Sequence, residues 1–140
     1  MKRTMKQTLA ILLALVLMTA LISCNKEETD LWENAVYTED QTFGEGAKTV
    51  IVEVKAQEKN VKFTIKTDKE TVGAALLEHG IIEGEEGPYG MYVKKVNGMT
   101  ADYDVDQHYW AFYANGEISM TGVDVTEISE GVTYQMVYEK

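Results

Sequence analysis

Cysteine and histidine are nearly absent from this 140-residue chain, which has one Cys and two His. A single Cys excludes a disulfide framework within one molecule. The Cys and His together are too few for a structural zinc site, which takes four such ligands. Positive charge is scarce as well: 13 Lys and Arg stand against 23 Asp and Glu, a net charge of −10. This excludes nucleic acid as a partner, because binding there is carried by basic side chains that neutralise phosphates. It equally excludes docking on anionic lipid through a basic patch. With 45% hydrophobic and 26% charged residues, the composition is that of one ordinary domain with appendages, neither disordered nor multi-spanning.

One long apolar run does exist. Leu9 to Ile22 is interrupted only by Thr19 and follows a flank carrying Lys2, Arg3 and Lys6 with no acid. The run is too short to span ~30 Å of hydrocarbon comfortably at ~1.5 Å per residue. A basic flank, a short apolar stretch and a small residue before a break form an export signal. The break, Leu21-Ile22-Ser23-Cys24, closely resembles the lipobox of bacterial lipoproteins. The resemblance implies that residues 1–23 are removed and that Cys24 is diacylated as the new N-terminus. No thiol would then remain for catalysis or metal. Three basic residues leave with the signal, so 10 basic against 23 acidic residues give the remainder a charge of −13. Acyl chains contribute about 0.8 kcal/mol per buried CH₂, so two or three hold firmly. The expected location is the extracytoplasmic face of the cell membrane, with the lipid as the sole membrane contact.

Residues 24–48 read as the lipidated Cys and an acidic tether. Glu27, Glu28, Asp30, Glu33, Glu39, Asp40 and Glu45 recur without apolar period, a composition that does not bury enough surface to order itself. Trp32, Tyr37 and Phe43 are exceptions that could dock on a neighbouring domain.

Residues 49–140 read as that domain. Val50, Val52 and Val54, then Val61, Phe63 and Ile65, alternate with polar neighbours at strand period. Glu58-Lys59-Asn60 is the expected turn between them. Thr67 with Glu70 suggests a capping box, and Val72, Ala75, Leu76 and His79 predict a helix over about 70–79, stopped at Gly80. Glu83 to Gly90 reads as a Gly-rich acidic loop, unsuited to phosphate because no Lys sits where a P-loop needs one. Strands follow over 91–96, 109–114, 118–120 and 132–138, punctuated by Asn97-Gly98, Asn115-Gly116 and Glu130-Gly131, with a polar loop over 101–107. One helix on a mixed sheet makes this an α+β domain, and a β-grasp-like roll is the expected topology.

Three landmarks carry a further resemblance. They are Gly87-Pro88-Tyr89-Gly90-Met91-Tyr92-Val93-Lys94-Lys95-Val96-Asn97-Gly98, then Tyr109-Trp110-Ala111-Phe112-Tyr113-Ala114-Asn115-Gly116 with Thr121-Gly122-Val123, then Gly131 before the last strand. Over residues 60–140 the chain resembles a widespread bacterial surface domain similar to the C-terminal β-domain of transcobalamin and intrinsic factor, the vitamin B12 carriers. The resemblance implies a β-grasp-like fold and a small-molecule ligand, with a corrinoid first among them. In those carriers the equivalent of Trp110 lies near the ligand. The carriers also close the corrinoid site with a large helical domain, and this chain carries no such domain.

The candidate ligand surface is therefore aromatic: Trp110, Tyr109, Tyr113, Tyr89 and Tyr92. Alternation puts Trp110 and Phe112 on one strand face and Tyr109, Ala111 and Tyr113 on the other; one set is core. The candidate metal set is Asp102, Asp104 and Asp106, three carboxylates at alternate positions that suit Ca²⁺ or Mg²⁺ better than zinc. Their EF-hand pattern is incomplete, since no Gly follows Asp106 and the twelfth position is Tyr113; a solvated acidic loop is the alternative. A His108 pair with Asp104 or Asp106 would need a nucleophile, and Ser119 and Ser129 sit in no nucleophile-elbow motif. The expected function is a non-enzymatic, lipid-anchored binding module for a small ligand. Its rivals are a module binding another envelope protein through an open sheet edge and a Ca²⁺-stabilised structural domain.

Overall fold

Alternating β-branched residues build the centre of the molecule. In the computed structural model, which describes residues 29–140, strands β2 (Lys48–Ala56) and β3 (Lys59–Thr67) form an antiparallel hairpin. Val50, Val52 and Val54 face Ile65, Phe63 and Val61 across it, all fully buried. The turn is Gln57-Glu58, both at positive φ, and not Glu58-Lys59-Asn60. A three-residue turn over 58–60 would pair Val54 with Thr64 and send the two apolar rows to opposite faces. The two-residue turn pairs Val54 with Val61 and keeps them together.

The last strand, β9 (Thr133–Glu139), lies parallel to β2, with Tyr134 beside Val52 and Met136 beside Val54. Strand β7 (Tyr109–Ala114) runs antiparallel to β9, and β8 (Glu117–Ile118) pairs with the end of β7. Strand β1 (Gln41–Phe43) adds to β3 in parallel. The six-stranded order β1-β3-β2-β9-β7-β8 puts the first long strand and the last side by side. This is the expected β-grasp-like α+β sheet.

Helix α1 (Val72–Glu78) buries Val72, Ala75 and Leu76. Its cap is Thr71, whose hydroxyl accepts from the Ala74 N–H at 3.2 Å, and not Thr67. Thr67 is the buried final residue of β3, and its hydroxyl donates to Glu78 Oε2 at 3.2 Å. The inward alternation of β3 carries through Thr67, so the helix starts four residues later. A second sheet follows: β4 (Ile82–Gly87), β5 (Gly90–Val96) and β6 (Met99–Thr100). The expected acidic loop over 83–90 is thus mostly strand β4. Its acids face solvent along a sheet edge, where charge deters pairing with other chains, and Glu83 and Glu85 meet Lys95 and Lys94 at 3.4 and 3.3 Å.

From Asp30 onward the expected tether is part of the domain. Leu31–Asn34 is a 3-10 turn that buries Trp32. The Trp32 indole N–H donates to the Ala56 carbonyl at 2.9 Å. Tyr37 and Phe43 pack edge-on at 5.3 Å, and both meet Phe63, at 5.8 and 6.0 Å. The acids Glu33, Glu39, Asp40 and Glu45 stay exposed, so an acidic composition conceals an apolar strap. Residues 1–23 and Cys24 lie outside the described residues.

Candidate functional site

Strand alternation divides the aromatic residues of β7 between two environments. Trp110 and Phe112 face inward. Trp110 is only 6% exposed, and its indole N–H donates to the Met99 carbonyl at 3.1 Å. Phe112 stacks on Tyr134 at 5.8 Å. Trp110 therefore belongs to the core, where its ring meets Tyr138 edge-on, and it offers no open stacking face. The reason is area: a small domain with little helix to cover its sheet draws a large ring inside.

Tyr109 and Tyr113 lie on the outer face and are half-buried. Their hydroxyls donate to the two oxygens of one carboxylate, Glu139, at 3.2 and 2.6 Å. These hydrogen bonds to Glu139 are the main reason both phenols are held above the ordinary tyrosine range, and the carboxylate's negative charge and partial burial add to the effect. The bridge also fixes the rings across β7 and β9.

Residues 101–107 are not extended. Asp102 caps a short helix, α2 (Tyr103–Asp106), by accepting the Asp104 N–H at 3.0 Å. The helix turns the three Asp side chains away from the shared strand face on which a metal site would depend. Asp106 bends towards His108: its Oδ1 accepts the His108 backbone N–H at 3.1 Å, and its Oδ2 lies 3.1 Å from His108 Nδ1. The backbone bond is the main reason the Asp106 carboxyl sits below the usual range. His108 stacks on Tyr138 at 4.6 Å. Among the described residues, no three His, Cys, Asp or Glu are grouped to hold a metal. Ser119 Oγ donates to the Thr121 carbonyl at 2.9 Å.

The turn of α2 brings Tyr103 edge-on to Tyr109, with centroids 6.5 Å apart. Between α2, β5 and β7 lies a cleft of about 480 Å³ lined by Glu85, Tyr92, Lys94, Asp102, Tyr103, Asp104 and Tyr109. It joins two expected ligand residues, Tyr92 and Tyr109, with two expected metal residues, Asp102 and Asp104. Lys94 Nζ lies 6.0 Å from the Tyr92 ring centroid and 3.3 Å from Glu85 Oε1. Its ammonium is held above the ordinary lysine range, first by the hydrogen bond to Glu85 and further by the charges of Glu85, Asp102 and Asp104. Tyr89 is apart from the cleft, 92% exposed beyond β4. Tyr113, which donates to Glu139 as Tyr109 does, is not part of the cleft lining.

Sequence reasoning missed Tyr103, Lys94 and Glu85. An Asp that opens a helix was a usable signal for Tyr103. The opposition of Glu85 and Tyr92 follows only from the register of the β4–β5 hairpin. A second hollow of about 470 Å³ lies by the β2–β3 turn, lined mainly by polar side chains such as Glu53, Lys55, Glu58 and Lys59 with Val137 and Tyr138. Its hairpin side chains offer fewer rings than the tyrosine cleft.

Fold and cleft together define a small β-grasp-like module with one tyrosine-walled, acid-rimmed recess. Residues 69–140 match the family described as Domain of unknown function (DUF4430), and the chain belongs to that family. No curated protein matches the chain. A crystal structure of a candidate metal binding protein from Ruminococcus gnavus superposes with a TM-score of 0.63 at 28% identity, covering 67% of this chain and 98% of that one. Haptocorrin in complex with Cbi superposes with a TM-score of 0.54 at 19% identity, covering 70% of this chain and 26% of haptocorrin. The second likeness is one of fold, and only about a quarter of haptocorrin is represented here.

Proposed function

We propose that this protein is a non-enzymatic, lipid-anchored binding module on the extracytoplasmic face of the membrane, and that it takes a small organic ligand in the cleft between β5, α2 and β7. The observation that carries the reading is the convergence of Tyr92, Tyr103 and Tyr109, from three separate elements, on one recess. Ring faces bury apolar area cheaply and leave a polar tip for orientation. The likeness to haptocorrin supports a small ligand, and a corrinoid is the first to test. The likeness covers 26% of haptocorrin, and a corrin gripped by this domain alone would be held from one side, with weaker binding than a closed site gives.

Calorimetric titration of cobinamide into the full chain tests this. Saturable binding that is lost in Tyr103→Ser, with the thermal midpoint of the free protein preserved, supports the reading. Binding unchanged by Tyr103→Ser contradicts the assignment of the cleft. A divalent-ion site is a second reading, favoured by the likeness to the candidate metal binding protein, although Glu85, Asp102 and Asp104 line the cleft without being grouped as ligands. A thermal midpoint indifferent to chelator and to added Ca²⁺ would end it.

A further inference from the structure

The cleft of the proposed binding site is built for positive charge. Its lining carries three carboxylates, Glu85, Asp102 and Asp104, against one ammonium, Lys94. The chain already places a cation there: Lys94 reaches over the Tyr92 ring and pairs with Glu85. That pair leaves the Asp102 and Asp104 charges uncompensated by any ion pair among the described residues. Two more rings, Tyr103 and Tyr109, line the same cleft and meet each other edge-on. Ring faces attract cations through their quadrupole, most effectively weakly hydrated ones.

We infer that the cleft selects an organic cation, an alkylated or quaternary ammonium group seated among Tyr92, Tyr103 and Tyr109 and neutralised by Asp102 and Asp104. A hard metal ion fits less well. It would need several oxygens converging at about 2.3–2.6 Å, whereas Asp102 Oδ1 is occupied by the Asp104 N–H and three of the lining groups are rings. An anion would meet the surplus carboxylates.

The inference rests on the cleft being the binding site, and two probes separate the two claims. Choline and its uncharged isostere 3,3-dimethylbutanol have the same shape and differ in charge. Each is titrated into the full chain while backbone amide resonances are followed. Choline should move the amides of Tyr92, Lys94 and Asp102–Asp104, and the isostere should bind about tenfold more weakly or worse, because a cation–ring attraction is lost. Asp102→Asn with Asp104→Asn keeps the helix cap, since Asn caps as Asp does, and should weaken choline at least about fivefold while sparing the isostere. Lys94→Gln removes the resident cation and should tighten choline. If the isostere moves these amides as strongly as choline, the cleft stands and selection for charge is wrong. If neither probe moves them, the cation inference is overturned, and cobinamide then decides the fate of the cleft by itself.

Discussion

Asn97 and Tyr37, sixty positions apart, exchange two hydrogen bonds: Asn97 Oδ1 accepts the Tyr37 N–H at 2.9 Å, and Asn97 Nδ2 donates to the Tyr37 carbonyl at 2.8 Å. The side-chain amide thus serves Tyr37 as a strand neighbour would. Asn97 is 1% exposed and has a φ of 51°, so the residue that turns β5 into β6 also fastens the N-terminal strap. Asn97→Ala should cost about 2–4 kcal/mol, from two buried bonds and an unfavourable left-handed backbone. Asn97→Gly restores the backbone freedom and not the clamp. In urea unfolding it should recover only about 1 kcal/mol of that loss. Full recovery would show that the turn alone matters.

Gly73 lies in the first turn of α1 against the 121–128 loop. Its N–H donates to the Val123 carbonyl at 2.8 Å, and a Cβ there would fall 2.8 Å from Asp124 N and Cα. Helix propensity favours Gly73→Ala by about 1 kcal/mol. Backbone atoms on a fixed loop do not give way as a flexible side chain would, so the substitution should instead lower the thermal midpoint. A higher midpoint would show that the loop yields freely.

Tyr109 and Tyr113 set a limit on alkaline stability. Their phenols lie above the ordinary range, first through the hydrogen bonds to Glu139. The fold favours the protonated form. This contribution is complete below the unfolded value of about 10 and is lost as pH rises through the higher folded value. Glu139→Ala should move both phenols downward in an ultraviolet tyrosinate titration. The stability difference between wild type and variant should hold at neutral pH and close under strongly alkaline conditions. A titration identical in the two proteins would refute the bridge.

Cys24 is expected to carry the anchor. An alkynyl fatty acid fed to bacteria expressing the full chain should label the wild type and not Cys24→Ser, with the variant leaving the membrane fraction. Labelling that survives Cys24→Ser would contradict lipidation at this residue.

The inner faces were legible in the sequence because burial imposes strict period. Val50, Val52 and Val54 and Val61, Phe63 and Ile65 each mark one buried face, and putting both rows on the same side requires the register parity that the two-residue turn supplies. The Asn97-Gly98 and Asn115-Gly116 turns were likewise visible, since positive φ selects those residues. What was not legible depends on partners distant in sequence. Trp32 reads as a stray ring in an acidic stretch until the Ala56 carbonyl is found to receive its N–H. Glu83 to Gly87 reads as loop because an exposed edge strand needs no apolar face. The cleft lay half in view, through Tyr92, Tyr109, Asp102 and Asp104. Extended spacing would have set the Asp residues apart from the rings, and the single turn of α2 brings them together.

The most direct test of the central claim is amide shift mapping of the full chain titrated with cobinamide. Binding in the tyrosine cleft predicts shifts centred on Glu85, Tyr92, Lys94 and residues 102–109. Shifts centred on Glu53, Lys55 and Val137 in the hollow by the β2–β3 turn, with the tyrosine cleft silent, would contradict it.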